Sequence, residues 1–123
     1  TAFVNTIEYI TIASTGNAQD FGDQAQSKNN EGTGCSNSVR GLAALANNSD
    51  LGSGSSAQTN VIDYITIASF GDAQDFGDLT QKRYDGGAAA SQTRALFFGG
   101  TLNPAKTNNI DYVCDAIAEA LNK

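Results

Sequence analysis

The sequence predicts an all-β fold built from short strands. Three observations support this prediction: an internal repeat, segments whose side chains alternate as in strands, and a composition rich in turn-forming residues. The chain contains 13 Gly but one Pro, no Met and no Trp. Small and turn-forming residues favour short strands joined by tight turns. Most of the chain lacks the continuous runs of strong helix formers that long helices need.

The internal repeat organises the whole chain. Residues 5–23 (NTIEYITIASTGNAQDFGD) match residues 60–78 (NVIDYITIASFGDAQDFGD) at nearly every position without a gap. The segments that follow also align, EGTGCSNSVRGLAAL at 31–45 with DGGAAASQTRALFFG at 85–99. A further copy opens with NIDYV at 109–113. A repeat of this length indicates one supersecondary unit that is stacked on its neighbours.

We therefore treat the chain as a single repeat domain and expect its two complete units to superpose strand for strand. Each unit predicts about four short strands, a spacing typical of propeller blades and sandwich repeats. The bounds of the units are 5–59 for the first unit, 60–108 for the second unit, and 109–123 for a partial third unit that carries one more strand and a short helix.

The strands of each unit differ in character. The opening segments, IEYITIA at 7–13 and IDYITIA at 62–68, place apolar residues on both faces, which favours a strand packed on two sides. A small-residue strand then precedes TRALFFGG at 93–100, which predicts an apolar strand ending in a glycine pair that permits positive φ.

Charge and composition exclude several partners. The net charge is −6, with only 7 Lys and Arg residues. A nucleic-acid binder needs clustered basic residues to displace counterions, so we expect no nucleic-acid partner. An anionic membrane surface is disfavoured for the same reason. No apolar run approaches the roughly 20 residues of a membrane span, so we expect no membrane insertion.

The residue types argue against an enzyme. The chain contains no His, which excludes Ser–His and Cys–His mechanisms and a histidine-ligated copper site. We expect no catalytic residues and no cofactor. Asp72, Asp75 and Asp78 lie close together in the second unit, and we interpret them as residues that cap turns. Calcium bound by these carboxylates is the alternative, and a catalytic carboxylate pair is a more remote one.

The two cysteines, Cys35 and Cys114, lie outside any Cys-x-x-Cys motif. Without His or a paired Cys, neither belongs to a zinc site. We expect two free, partly buried thiols. A disulfide between them and an intermolecular disulfide are the alternatives.

A small set of residues forms the candidates for ligand contact. Arg40 and Arg94 occupy equivalent positions. We expect each to form hydrogen bonds that connect neighbouring strands or blades, and ligand contact is the alternative. A tyrosine recurs at the position of Tyr64 in every unit, which favours a packing role over a ring on which a sugar stacks. Tyr84 has no tyrosine counterpart in the first unit, and such unequal positions are where a unique site would lie. The candidates are therefore Tyr84, Arg40, Arg94 and Tyr64.

The last residues, 114–123 (CDAIAEALNK), predict a short helix. Ala, Ile, Glu and Leu replace the Gly, Asn and Thr of the repeats, and helix propensity rises with them. Ile117 and Leu121 form an i, i+4 pair on one face. So short a helix is not stable alone, so we expect it to pack as a cap or latch on its own sheet or on another chain, and a frayed tail is the alternative.

The order of these segments resembles the kelch repeat of β-propellers. The resemblance is carried by QKRYDGGAAASQTRALFFGG at 81–100, followed by NNIDYV at 108–113. The fuller string IDYITIAS-x-G-x-AQDFGDL resembles a kelch-like variant found in predicted structural and tail-fibre proteins of marine bacteriophages. Two features depart from the kelch pattern. The Trp of the last strand is replaced by Phe21 and Phe76, and the first unit has Leu45-Ala46 where the second has a Gly pair.

The resemblance implies four-stranded propeller blades. Because a propeller has roughly 4–8 blades, two units cannot close a ring. We therefore expect a homo-oligomer, by preference a trimer that pools its blades, with strand exchange between chains as a means of assembly. A β-sandwich or β-prism formed by the two repeats is the alternative fold.

The resemblance also implies a non-enzymatic role. We expect a structural or binding module of a virion or extracellular assembly, such as a phage fibre, decoration or adhesion part. Its partners would be other proteins of the virion or assembly, with host-surface glycan as a further contact. A soluble oligomeric sugar-binding lectin is the alternative function.

Overall fold

The computed structural model describes residues 4–28, 32–46, 59–102 and 105–114. The regular structure in this part consists of strands, and the prediction of an all-β fold is confirmed. No helix that could cross a membrane occurs among these residues. The strands are Val4–Tyr9 (β1), Gln19–Lys28 (β2), Thr33–Ser36 (β3), Arg40–Ala44 (β4), Val61–Thr66 (β5), Gln74–Asp78 (β6), Gly87–Ala90 (β7), Arg94–Phe98 (β8), Thr101–Leu102 (β9), Ala105–Lys106 (β10) and Ile110–Cys114 (β11).

The strands form four antiparallel sheets, ordered β1-β2, β3-β4-β5-β6, β7-β8-β11 and β9-β10. The four-stranded sheet takes β3 and β4 from the first sequence unit and β5 and β6 from the second. In the three-stranded sheet, β7, β8 and β11 repeat the order of β3, β4 and β5. The hydrogen-bonded sheets are therefore out of phase with the sequence units.

The two units adopt the same local conformation. In β1–β2, Tyr9 lies opposite Gln19, and in β5–β6 the equivalent Tyr64 lies opposite Gln74. Both ladders shift register at the same place, where a β-bulge leaves one extra residue on the second strand. That residue is Phe21 in the first unit and Phe76 in the second. The expected equivalence of the units is confirmed for these segments.

The opening strands are shorter than the alternation predicts. β1 ends at Tyr9 and β5 at Thr66, whereas the sequence predicts strands over 7–13 and 62–68. Ile12 lies in a turn and is 95% exposed. β5 continues further than β1 because β4 pairs with it up to the Arg40–Thr66 pair, and β1 has no such neighbour within the described residues.

The predicted glycine pair ends β8 with positive φ angles of 71° at Gly99 and 97° at Gly100. In the first unit, Leu45 occupies the position of Gly99 and still adopts a φ of 60°. A left-handed conformation costs a non-glycine residue roughly 1–2 kcal/mol. Complete burial of the Leu45 side chain offsets this cost. The first unit therefore forms the same turn as the second, with Leu45 in place of the glycine.

The core lies between the four-stranded and the three-stranded sheet. The edge strands β3 and β7 of these two sheets contact each other. Their small residues allow the two backbones to approach closely. The buried members of the core are Ala44, Leu45, Ile62, Leu79, Ala95 and Phe97.

Both cysteines are free, partly buried thiols, as predicted. Burial raises the pKa of the Cys35 thiol. Cys114 is the last residue of β11, so the predicted helix over 114–123 does not begin there. The rest of that segment, 115–123, lies outside the described residues.

Candidate functional site

A loop of the second unit lies along the edge of the first unit. This loop, residues 67–73, joins β5 to β6. The Gly71 N–H donates to the Phe21 carbonyl oxygen at 3.1 Å, and the Ala73 N–H donates to the Asp23 carbonyl oxygen at 2.7 Å. In return, the Asp23 N–H donates to Asp72 Oδ1 at 3.0 Å. The loop thus covers the outer edge of β2 as an added strand would.

A glycine makes this close approach feasible. Gly22 has a φ of 156°, and a Cβ at this position would collide with the Gly71 carbonyl oxygen. Its counterpart Gly77 has nearly the same φ, 157°, but no atom of the described residues lies within 4 Å of a Cβ placed there. The outer edge of β6 therefore has the same shape as that of β2, without a covering loop in the described part of the chain.

Three aromatic rings strengthen the contact between the units. Phe70, in the loop, lies with its ring centroid 5.2 Å from that of Tyr9 and 5.6 Å from that of Phe21. The Phe21 pairing is edge-on, a favoured geometry for aromatic rings. The first unit has Thr15 at the position of Phe70, so this aromatic contact is specific to the loop of the second unit.

The two candidate arginines make equivalent stacks within their sheets. The Arg40 guanidinium lies 4.5 Å from the ring centroid of Tyr64, and that of Arg94 lies 5.0 Å from the ring centroid of Tyr112. In both sheets the arginine starts one strand and the tyrosine lies on the next. Such cation–π contacts stabilise a strand pair by about 0.5–1 kcal/mol at exposed sites.

Tyr64 is engaged at both ends of its side chain. Its hydroxyl donates to Gln74 Oε1 at 2.8 Å, and the equivalent Tyr9 hydroxyl donates to Gln19 Oε1 at the same distance. Because the Arg40 guanidinium also stacks on the Tyr64 ring, the geometry favours the packing role that the sequence predicts.

The structure brings Arg40 and Arg94 to one cavity, together with Phe76. The cavity lies between the two larger sheets and has a volume of about 20 Å³, enough for a water molecule but too small for a sugar. Tyr84 does not line this cavity. Its backbone instead forms an isolated bridge with Thr101. The four sequence candidates therefore do not form one site among the described residues.

Two larger clefts occur at equivalent hairpin loops. One, of about 90 Å³, lies at the β1–β2 loop, and the other, of about 190 Å³, lies at the β5–β6 loop. Polar side chains and backbone groups line both. The first is lined by Tyr9, Asn17 and Gln19 among others, and the second by Tyr64, Asp72 and Gln74.

Asp72, the first of the predicted calcium ligands, accepts a hydrogen bond from the Asp23 N–H on β2, so this bond joins the two units and does not cap a turn. In the β5–β6 ladder, Asp75 lies opposite Asp63 and Asp78 lies opposite Val61. Across the described ranges, no three His, Cys, Asp or Glu side chains are grouped so that they could hold a metal ion. Calcium binding by these carboxylates stays an untested alternative.

Sequence reasoning missed a buried polar network around Arg83. This side chain is fully buried and donates from Nε to the Gly99 carbonyl oxygen, from Nη1 to Asp111 Oδ2, and from Nη2 to the Phe97 carbonyl oxygen, at 2.8, 2.9 and 3.0 Å. Thr80 also donates to Asp111, from its hydroxyl at 2.6 Å and from its N–H at 3.0 Å.

This network alters the ionisation of Asp111. Desolvation by burial opposes ionisation, but the hydrogen bonds from Thr80 and Arg83, with the charge of Arg83, lower the pKa of Asp111 below its ordinary value. The sequence carries one signal of such a site. An acidic residue recurs at this position, as Glu8 and Asp63, in each opening strand.

No family model matches the chain, and no curated protein matches it. Function therefore has to be inferred from the repeat and from the contacts between its units.

Proposed function

We propose that this protein is a non-enzymatic β-repeat module of a virion or other extracellular assembly, acting as a fibre, decoration or adhesion part. The observation that supports this most is the loop 67–73, which lies along β2 of the preceding unit. Contacts of this kind can be repeated from unit to unit, as a structural array requires. The virion setting rests on the resemblance to kelch-like repeats of phage proteins.

In this proposal each set of four strands is a kelch-like propeller blade. The contact between β3 and β7, together with a buried cluster shared by the two larger sheets, supports neighbouring blades in this proposal. Three chains pool their blades into a closed ring, which is the expected homo-oligomer. The C-terminal segment predicted to be helical caps or latches the assembly. A β-sandwich or β-prism is the competing arrangement.

A soluble sugar-binding lectin is the second candidate. The two equivalent clefts at the hairpin loops favour it, because each combines a tyrosine with amide or carboxylate groups that can hydrogen-bond a glycan. A lectin would use both clefts for the same ligand.

Two measurements separate these candidates. The structural role predicts that mass spectrometry finds the chain among the proteins of purified particles, in a fixed ratio to them. Isolated protein on a glycan array should then show no specific binding, or binding only of host-surface glycan. Strong glycan binding that is lost in the Tyr64→Ala variant, together with absence from particles, would instead identify a lectin.

A further inference from the structure

We propose that copies of this chain join head to tail, by stacking the outer face of the three-stranded sheet of one copy on the outer face of the β1–β2 hairpin of the next copy. The first surface, which we name the trailing face, consists of Leu96, Phe98, Ile110 and Tyr112. The second, which we name the leading face, consists of Val4, Thr6, Glu8 and Ile10. Every strand keeps the partners that it has within its own chain. The inference rests on the proposed function and names the surfaces that join its homo-oligomer.

The sheets within one chain stack in a fixed order. The face of the four-stranded sheet that carries Ile62 packs against the face of the three-stranded sheet that carries Phe97. The opposite face of the four-stranded sheet lies toward the β1–β2 hairpin, because Asp63 of the sheet and Ile7 of the hairpin line one cavity. Both junctions therefore place the same face of one unit on the opposite face of the unit that follows it.

The trailing face is the counterpart of a buried surface. Ile110 corresponds to Ile62 and is 67% exposed, whereas Ile62 is fully buried. Phe98 corresponds to Ala44 and is 42% exposed, whereas Ala44 is buried. The β8–β11 ladder places all four members of the trailing face on one side of the sheet. No further unit covers this side among the described residues, and an exposed apolar surface of this kind favours contact with a partner.

The leading face is the counterpart of the other half of the same junction. In β1 every second side chain, from Val4 to Glu8, is exposed, and those between are half-buried. Glu8 corresponds to Asp63, which is fully buried. Ile10, which follows β1, is 62% exposed and corresponds to the half-buried Ile65. The leading face is thus the surface that the later units turn toward the unit before them.

Charge favours the stacking of unlike faces. The trailing face has a cation at its rim, because the Arg94 guanidinium stacks on the ring of Tyr112. The leading face has the carboxylate of Glu8, which lies opposite Asp20 in the β1–β2 ladder. Two stacked trailing faces would bring guanidinium groups together, and two stacked leading faces would bring carboxylates together, and such like-charge contacts are unfavourable. A second copy that offers its unlike face is therefore the favoured partner, and head-to-tail contacts of this kind can close into a ring.

The junction within the chain identifies two positions that should meet between copies. Leu42 of the four-stranded sheet and Val113 of the three-stranded sheet line the cavity between these sheets. Their counterparts are Leu96 on the trailing face and Ile10 on the leading face. In the proposed junction, Leu96 of one copy therefore lies close to Ile10 of the next.

Crosslinking of two single-cysteine variants tests this contact directly. The background carries Cys35→Ser and Cys114→Ser, so that each protein has one thiol. Leu96→Cys and Ile10→Cys proteins are mixed at low concentration, concentrated, and treated with a bis-maleimide that spans about 10 Å, the distance between packed sheets. The mixture should give linked chains, and neither protein alone should do so. The matched control replaces Leu96→Cys by Val39→Cys, at a similarly exposed position outside both faces, and should give no linkage.

The outcomes separate this junction from its alternatives. Linkage of Leu96→Cys with itself would show that two trailing faces pair, and would overturn the inference. Slow maleimide labelling of Leu96→Cys at every concentration would also overturn it, because residues of the same chain, such as 115–123, would then cover the face. A homo-oligomer that forms without mixed linkage would reject only this mode of joining, whereas a chain that stays monomeric would reject the proposed assembly as well.

Sedimentation velocity measures how strongly the trailing face contributes. Ile110→Ala should weaken association by about tenfold, because the truncated side chain would be buried between two copies. Val39→Ala is the matched control and should leave association unchanged. Equal association of the two variants would contradict the inference.

Discussion

Arg83 and Asp111 form a buried ion pair, with 2.9 Å between Arg83 Nη1 and Asp111 Oδ2. This ion pair connects the segment that precedes β7 to β11, the last strand that the structure describes. The same guanidinium also binds the carbonyl oxygens of Phe97 and Gly99. One side chain therefore joins the end of β8, the glycine turn and β11. The network fixes β11 on the sheet through three polar contacts of Asp111 and a cation that is removed from solvent.

Asp111→Asn should destabilise the protein strongly. Because the substitution removes the negative charge and leaves the buried guanidinium of Arg83 without an ionic partner, the free energy of unfolding should fall by about 3–5 kcal/mol. Urea denaturation measures this change. The control is Asp78→Asn at an exposed strand position, which should change the free energy of unfolding by less than about 0.5 kcal/mol. Similar effects of the two variants would contradict a structural role for the pair.

Stability should depend on the ionisation of Asp111. Its pKa is lowered in the folded state, so its contribution is fully present above the ordinary value of 3.8 and is lost as the pH falls through the lower folded pKa. Thermal melts of the wild type and of Asp111→Asn between pH 7 and pH 2 measure this dependence. The difference between their melting temperatures should be constant above about pH 5 and shrink in acid. A difference that grows in acid would show that the sign is wrong.

The two glycines after β8 should differ in their tolerance of a side chain. Gly99→Ala should cost roughly 1–2 kcal/mol, because φ is positive but the nearest atom, the Thr107 carbonyl oxygen, is 4.0 Å from the added Cβ. Gly100→Ala should cost more, because its Cβ would lie 2.5 Å from the Tyr84 carbonyl oxygen. Chemical denaturation ranks the two variants. A smaller cost for Gly100→Ala would contradict the described turn.

Phe70→Ala should loosen the contact between the two units. The ring packs on Tyr9 and Phe21 but is 69% exposed, so its loss should destabilise the β1–β2 hairpin by roughly 0.5–1.5 kcal/mol. Hydrogen exchange should accelerate at the β2 amides and change little in β4, whose neighbours are intact. The matched control is Thr15→Ala at the equivalent loop position of the first unit, where we expect no change. Uniform acceleration over the whole chain would indicate global unfolding rather than loss of this contact.

Much of the strand structure follows from local sequence. The point in the repeat unit at which each sheet begins does not. The repeat predicts that Tyr9 and Tyr64 have equivalent surroundings, and the glycine pair predicts the turn at Gly99. A repeat does not specify where a sheet begins, however. The sequence similarity between units is the same whichever residue is taken as the start of the unit. The sequence also overextends the strand toward Ile12, since alternation cannot reveal that β1 pairs with β2 alone among the described residues.

The candidate site was less accessible to sequence reasoning. Arg40 and Arg94 were identified as equivalent, but their tyrosine stacks depend on the register between strands that are far apart in the chain. The pairing of Arg83 with Asp111 spans 28 residues and four intervening strands, β7 to β10. No local pattern predicts such a contact, although the recurrence of an acidic residue in the opening strands pointed to one partner.

The mass of the protein in solution tests the central claim most directly. We expect light scattering over a range of concentrations to show a homo-oligomer, by preference a trimer, that dissociates as the concentration falls. Dissociation should be accompanied by loss of the cooperative thermal transition, because each chain leaves strand edges and apolar faces uncovered. A chain that stays monomeric at every concentration and still melts cooperatively would contradict the proposal that these repeats function as parts of an assembly.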